Sequence, residues 1–399
     1  MNMNKIAFNI LTVPVLAVLA VSCGGQDEIY KEWVKKGGYD YPAKAINLSS
    51  VIGYQNVIVN WEKPMDPAVR TATLFWDNYA KSIDVDYADY PDGKVSIEVG
   101  ELEDRSYTFD IVNYDDVGNK SLAAEITVSP YGDGWMVSRS ERTVTSARME
   151  GRDAKIVMSK ATDEMVATRF RYKNLQDEWV ESETVLKPGE NEVTFKDAMK
   201  GKRFEYSSSF CPKAGKDTVW RTWTKSVDGI SYQIDGSRWN VTATNGQYFG
   251  INTPEKIFDG RYDRPAYSWH SSKSDNNKQA FPKILSVDTQ TSAGEEFAFT
   301  GFTFCENNTA ASLRYIKDYT IYVGSSYYNP DDVDYLKNFG IPFIGGTLST
   351  SADQYSVNVT QGATGRYMAI VFKNSWNADD GFIDLWELIP YGYIPSLAD

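Results

Sequence analysis

The chain has 399 residues, enough for two or three domains, and its 42% apolar and 14% aromatic content supplies packed cores and excludes global disorder. The formal net charge is −13, with acidic and basic residues interspersed and no basic stripe; this argues against nucleic-acid binding, which rests on clustered Lys and Arg. A single His leaves no spare base for a Ser or Cys nucleophile, and no close-spaced His/Asp cluster suggests a metal hydrolase, so the chain reads as no enzyme.

At the N-terminus, Lys5 precedes an apolar run from Ile6 to Val21 that is interrupted by Asn9, Thr12 and Pro14. A membrane-spanning helix needs roughly 20 predominantly apolar residues, so the run suits the h-region of a signal peptide over residues 1–22. It ends Leu19-Ala20-Val21-Ser22-Cys23-Gly24. That ending resembles the lipobox of bacterial lipoproteins, departing from it at Ala20, where Leu is usual. The resemblance implies lipidation of Cys23 and a mature chain beginning there; the alternative is an ordinary secretory peptide with a chance Cys nearby. Several acyl chains on one residue anchor durably, whereas one binds only marginally. Gly24-Gly25-Gln26-Asp27-Glu28 resembles the acidic tether that sends lipoproteins of Bacteroidota to the outer face of the outer membrane, although short acidic linkers also serve mere solubility. Residues 23–45 read as a lipid-anchored tether.

From Ile46 the pattern turns to alternation. Val57–Trp61, Thr71–Trp76, Val95–Val99 and Tyr107–Val112 are strand candidates; a turn at Asp115–Asn119 and a return over Leu122–Val128 follow. Trp61 on an early strand, Leu102 five residues before Tyr107, and Gly118 in a turn together resemble a fibronectin type III domain over residues 46–131. Tyr107 would then be the tyrosine corner, its hydroxyl tied to backbone upstream. Residues 132–227 look like a divergent second copy. Its strand candidates are Ala154–Met158, Thr168–Tyr172 and Glu192–Phe195, and Met199–Phe204 echoes Leu102–Tyr107. The two together also resemble a two-part module of Bacteroidota surface lipoproteins, a resemblance that implies no particular activity.

The last domain is expected over residues 228–395. In order it offers Arg238–Ala243, Ile257–Gly260, Ser268–His270, Pro282–Asp288, Ile316–Val323, Gly365–Ile370 and Ile383–Leu388. That order resembles the discoidin or coagulation factor 5/8 type C family, a galactose-binding-like jelly-roll that includes many family 32 carbohydrate-binding modules. The expected fold class is therefore all-β: tandem immunoglobulin/fibronectin III-like sandwiches followed by a galactose-binding-like jelly-roll.

Sugar binding needs an aromatic face for C–H patches and planar polar groups for hydroxyls. His270 follows Trp269, as in sugar-binding members of that family whose His contacts a hydroxyl; otherwise it is a surface His in a polar loop. Trp269 itself reads as core. Asn374, Trp376 and Asn377 sit in a polar loop between two strands, where Trp376 is exposed unless it folds back. Galactose-binding relatives often carry an Arg after the strand that here reads Phe302-Thr303-Phe304; Cys305-Glu306-Asn307-Asn308 stands there instead, which puts the familiar galactose site in doubt. The family's structural calcium implies Ca2+ at Asp259, Asp263 and Glu387, hard oxygen donors of suitable type. Arg261 and Arg264 depart from the family pattern, and a nearby cation could replace the metal. Cys211 and Cys305 fall in different expected domains, so a disulfide between them is not expected, and no C-x-x-C spacing suggests zinc.

Two functions remain. The first is a cell-surface lipoprotein that binds glycan or polysaccharide through its C-terminal domain, with outer-membrane glycan-uptake proteins as partners. The second is a surface adhesion or structural protein that binds other proteins.

Overall fold

The computed structural model describes residues 41–246, 250–261, 268–271, 281–306, 316–349, 354–376 and 383–399. The fold is all-β, and the chain divides into two compact units, residues 1–133 and 134–399. Three of the expected site residues, Cys23, Asp263 and Asn377, lie outside the described residues.

The first unit is one sandwich. Its strands are β1 (Ile46–Ile52), β2 (Val57–Glu62), β3 (Val69–Trp76), β4 (Lys81–Asp86), β5 (Lys94–Val99), β6 (Tyr107–Asp115) and β7 (Ala124–Val128). They form sheets of order β1-β2-β5 and β4-β3-β6-β7, the arrangement of a fibronectin III-like domain. Alternation sets the inner faces: Val57, Val59 and Trp61 are buried along β2, while the residues between them are half-buried. The Glu103 backbone N–H donates to the Tyr107 hydroxyl at 2.9 Å, so Tyr107 is tied to backbone upstream of its strand. A buried polar chain completes the core. Trp61 Nε1 donates to the Tyr87 hydroxyl at 3.0 Å, which donates to Asn113 Oδ1 at 2.8 Å. The Asn113 amide nitrogen then reaches the Ala43 carbonyl, and its backbone N–H reaches Ser121 Oγ.

In the second unit a sandwich of the same plan comes first, with β8 (Val144–Glu150), β9 (Asp153–Met158), β10 (Met165–Lys173), β11 (Trp179–Glu181), β12 (Glu192–Phe195), β13 (Glu205–Phe210), β14 (Val219–Trp220) and β15 (Thr224–Lys225). Its sheets run β12-β9-β8 and β11-β10-β13-β14, with β15 also on β13. Phe204 stands where the first copy has its tyrosine and is fully buried. On the outer face of β10, Arg169 and Arg171 alternate with the rings of Trp220, Trp223 and Trp179 at 4.5–5.5 Å, a cation–π stack.

The jelly-roll comprises β16 (Tyr232–Gln233), β17 (Asn240–Ala243), β18 (Trp269–His270), β19 (Lys283–Asp288), β20 (Phe297–Glu306), β21 (Asp318–Gly324), β22 (Ile344–Thr347), β23 (Gln354–Gly365), β24 (Tyr367–Phe372) and β25 (Asp384–Tyr393). One sheet has the order β16-β25-β20-β23 with β18 on β25; the other is β17-β19-β24-β21-β22. Trp269, Phe299, Phe302, Phe304, Phe372 and Leu385 are among the residues that fill the space between them.

Backbone hydrogen bonds join the two sandwiches of this unit. Met149 N–H donates to the Ser231 carbonyl and Ser231 N–H to the Ala147 carbonyl, so the chain at 231 adds to the free edge of β8 just before entering β16. Ile230 lies in the second sandwich's core and Ile234, four residues later, in the jelly-roll's. Gly229 is required at this crossing, because a Cβ there would stand 2.1 Å from the Gly201 carbonyl oxygen.

Candidate functional site

Strand pairing gathers most of the expected sugar-site residues at one end of the jelly-roll. Lys283 opens β19 opposite Phe372 at the close of β24, and Asp318 opens β21 opposite Thr347 at the close of β22. In the facing sheet, Glu306 closes β20 opposite Leu385, and His270 lies opposite Asp384 at the start of β25. His270 and the segment Asn374–Trp376 therefore belong to the same end, one from each sheet.

Trp376 follows β24 and does not fold into the core; it is 41% exposed. Its Nε1 donates to the Leu348 carbonyl at 3.1 Å and Lys317 Nζ stands 4.8 Å from the ring centroid, so the indole is held in place while part of it remains in solvent. Asn374 supports this arrangement: its side-chain oxygen accepts the Asp318 N–H at 2.9 Å and its carbonyl accepts the Lys317 N–H. The oxygen is thus committed to the fold, and Asn374 positions the loop. Trp269 is 1% exposed and packs at 5.7 Å from Phe372, a core residue.

Glu306 links the two halves of this end and was not among the residues expected from sequence. It is 3% exposed, and its Oε1 accepts the Ile316 N–H at 2.7 Å; Ile316 in turn bridges to Ser375, next to Trp376. Burial pushes its carboxyl up to about 8; the Ile316 N–H opposes this and the charge of Asp384 adds to it. Its Oε2 has no partner among the described residues. The signal was present as the acid standing where an Arg is usual. Lys283, at the same end, is also buried, which draws its ammonium down to about 8.

Two of the three expected calcium ligands line a separate cavity of about 210 Å³ beside β25, with Gln233, Asp235, Gly236 and Gly260. Glu387 is 4% exposed; its Oε1 accepts the Gly260 N–H at 3.2 Å, and its Oε2 has no partner among the described residues. Burial and the nearby Asp259 push the Glu387 carboxyl up to about 8, against the Gly260 and Arg261 backbone N–H groups. A buried carboxylate with an open oxygen, next to a second carboxylate, fits a hard cation. No group of three or more His, Cys, Asp or Glu suited to a metal occurs among the described residues. Both Cys211 and Cys305 are free thiols, and burial pushes Cys305 up to about 12.

Residues 23–217 match a family described as a domain of unknown function, DUF4998. No curated protein matches the chain. Among solved structures, the chain is similar to the family 32 carbohydrate-binding module of C. perfringens NanJ in complex with galactose, at 18% identity and a TM-score of 0.31, covering 41% of this chain and 99% of that one. It is also similar to a fucolectin from striped bass (Morone saxatilis) serum, at 12% identity and a TM-score of 0.32, over 74% of this chain and 86% of that one. A third is the SusE-like protein BT2857, at 11% identity and a TM-score of 0.35, over 63% of this chain and 96% of that one.

Proposed function

We propose that this chain is a non-catalytic cell-surface lipoprotein that captures carbohydrate at the loop end of its jelly-roll, as part of an outer-membrane glycan-uptake system. The observation that supports it is Trp376: an indole 41% exposed, fixed by its own N–H, at the end that also carries His270. A fixed aromatic ring loses little entropy when a sugar stacks on it, and amide and imidazole groups at the same end suit hydroxyls. His270, Asn374, Trp376 and Asn377 form the proposed site, with Asn374 as its brace.

The decisive experiment is a glycan-array screen of the soluble chain from residue 24, with and without calcium. Binding to one class of glycan that falls at least tenfold in Trp376→Ala, with melting unchanged, supports the reading. A blank array from folded protein overturns it in favour of a protein partner. That second reading draws on Val333, Leu336 and Ile341, which are 92%, 67% and 92% exposed around the short helix Tyr335–Asn338.

Calcium bound by Asp259, Asp263 and Glu387 would brace the loop after residue 258 against β25 and would have no catalytic part. Anchoring would come from lipid on Cys23; among the described residues no helix is long and apolar enough to cross a membrane. Metabolic labelling with an alkyne fatty acid should mark the wild-type protein in the membrane fraction and fail in Cys23→Ser. Equal labelling of both would remove Cys23 from that role.

A further inference from the structure

A second cavity, of about 350 Å³, lies within the 134–399 unit, between the edge strand β8 and the jelly-roll. This is the small end of the range for ligand pockets, roughly 300–1,000 Å³, with room for one monosaccharide-sized molecule. It has a structural origin. In the β20/β23 pairing, Phe299 faces Ala363 and Gly301 faces Asn358, so Thr300 alone lies opposite the run 359–362. This long bulge is the jelly-roll's contribution to the wall, through Thr300, Asn358 and Val359.

Arg148 supplies the charge. Its guanidinium carbon lies 3.6 Å from the Tyr391 ring centroid, and its Nη2 donates to the Asn358 side-chain oxygen. Its Nε is buried and has no hydrogen-bond partner among the described residues. Among the described residues no carboxylate forms an ion pair with Arg148. Asp228, the acid that lines the same cavity, accepts the Tyr393 hydroxyl at 2.9 Å on one oxygen and the Gly362 N–H at 3.1 Å on the other. A half-buried guanidinium without an anion is costly, and it is the group best shaped to hold a carboxylate.

Three of the hydroxyls that line the cavity set the rest of the chemistry. Thr145, Ser231 and Thr300 each donate their hydroxyl proton to a backbone carbonyl, those of Val157, Ala147 and Tyr391 respectively. Their remaining capacity is as acceptors, which suits a ligand rich in O–H donors. Val144, Ala147 and Val359 add apolar surface.

We propose that this cavity binds a small sugar acid, its carboxylate on Arg148 and its hydroxyls donating to the threonine and serine oxygens. The site is distinct from the Trp376 end and does not depend on it.

Isothermal titration of the soluble chain with galacturonate, glucuronate, galactose and glucose tests this. The expected result is one-to-one binding of at least one uronate, at least tenfold tighter than its neutral counterpart. Arg148→Met should weaken that binding at least tenfold. Ser146→Phe, which fills the cavity from β8 and spares the guanidinium, should abolish it with the melting temperature retained. Trp376→Ala should bind the uronate as wild type does, which separates this site from the glycan site above. Absence of saturable heat with either uronate, equal binding of the neutral sugars, or wild-type binding by Ser146→Phe would each overturn the proposal. If Arg148→Met unfolds, Ser146→Phe decides.

Discussion

The first sandwich and the jelly-roll both bury polar side chains, and they differ in how completely those groups are satisfied. In the first sandwich, Trp61, Tyr87, Asn113 and Ser121 form a chain in which each donor meets an acceptor, ending on the Ala43 carbonyl. In the jelly-roll, Glu306 and Glu387 are as deeply buried, yet each uses one carboxylate oxygen and leaves the other without a partner among the described residues. A satisfied buried network holds a fold together, whereas a half-satisfied one is a standing cost. The lesson is that the Trp61–Tyr87–Asn113 network of the first sandwich is closed by its own residues, although Trp76 Nε1 in the same core is buried without a partner among the described residues, whereas each of the two buried carboxyls of the jelly-roll is only half-satisfied.

The largest effect that would sharpen this contrast is expected at Asn113. Asn113→Ala strands the buried Tyr87 hydroxyl, at about 1–3 kcal/mol for a buried group left unpaired, and also removes the bond to the carbonyl of the exposed Ala43. A loss of about 2 kcal/mol in urea unfolding of the first unit is expected. A loss below about 0.5 kcal/mol would show that water replaces the amide, and the network would not be the fastener described.

The next effect concerns pH. Both folded carboxyls lie near 8, above the ordinary value of 4.5, so the folded state holds protons that the unfolded chain releases first. The stabilisation is therefore full below about 4.5 and is lost as pH rises through 8. Over that window the second unit should lose stability, measured as a falling melting temperature between pH 5 and pH 8. Glu306→Gln together with Glu387→Gln should flatten that slope. A slope that survives both substitutions would assign it elsewhere. The proposed calcium would supply the smallest effect: occupancy would displace the Glu387 proton, so added calcium should raise the melting temperature by a few degrees at pH 8, less at pH 5, and not in Glu387→Gln.

Much of the fold was legible because its signals are local. The alternation of Val57, Val59 and Trp61 places them on one face whatever the rest of the chain does, and the Leu102–Tyr107 spacing announces the tie between Tyr107 and Glu103. Edge strands were harder. β1, β4, β8 and β11 are solvated on more than one side, so their sequences alternate weakly; in β8 every residue is half-buried or exposed. The candidate end was partly legible. A Trp amid Asn and Asp announces exposure, and the order of landmarks announced the jelly-roll. Glu306 was visible as a departure from a pattern, but its burial was not, because that depends on tertiary packing that brings Ile316, ten residues on, to its carboxyl.

The sequence by itself determined the all-β class, the repeat of one sandwich plan and the residues that alternate into each core, because side-chain period and turn chemistry act over a few residues. Tertiary structure alone decided that the strand ends bring His270 and Trp376 to the same end of the jelly-roll, that Asn374 braces the loop, and that β8 meets the chain at 231 so that Arg148 lies on Tyr391. Those outcomes depend on pairings between residues up to hundreds of positions apart, which no local pattern encodes.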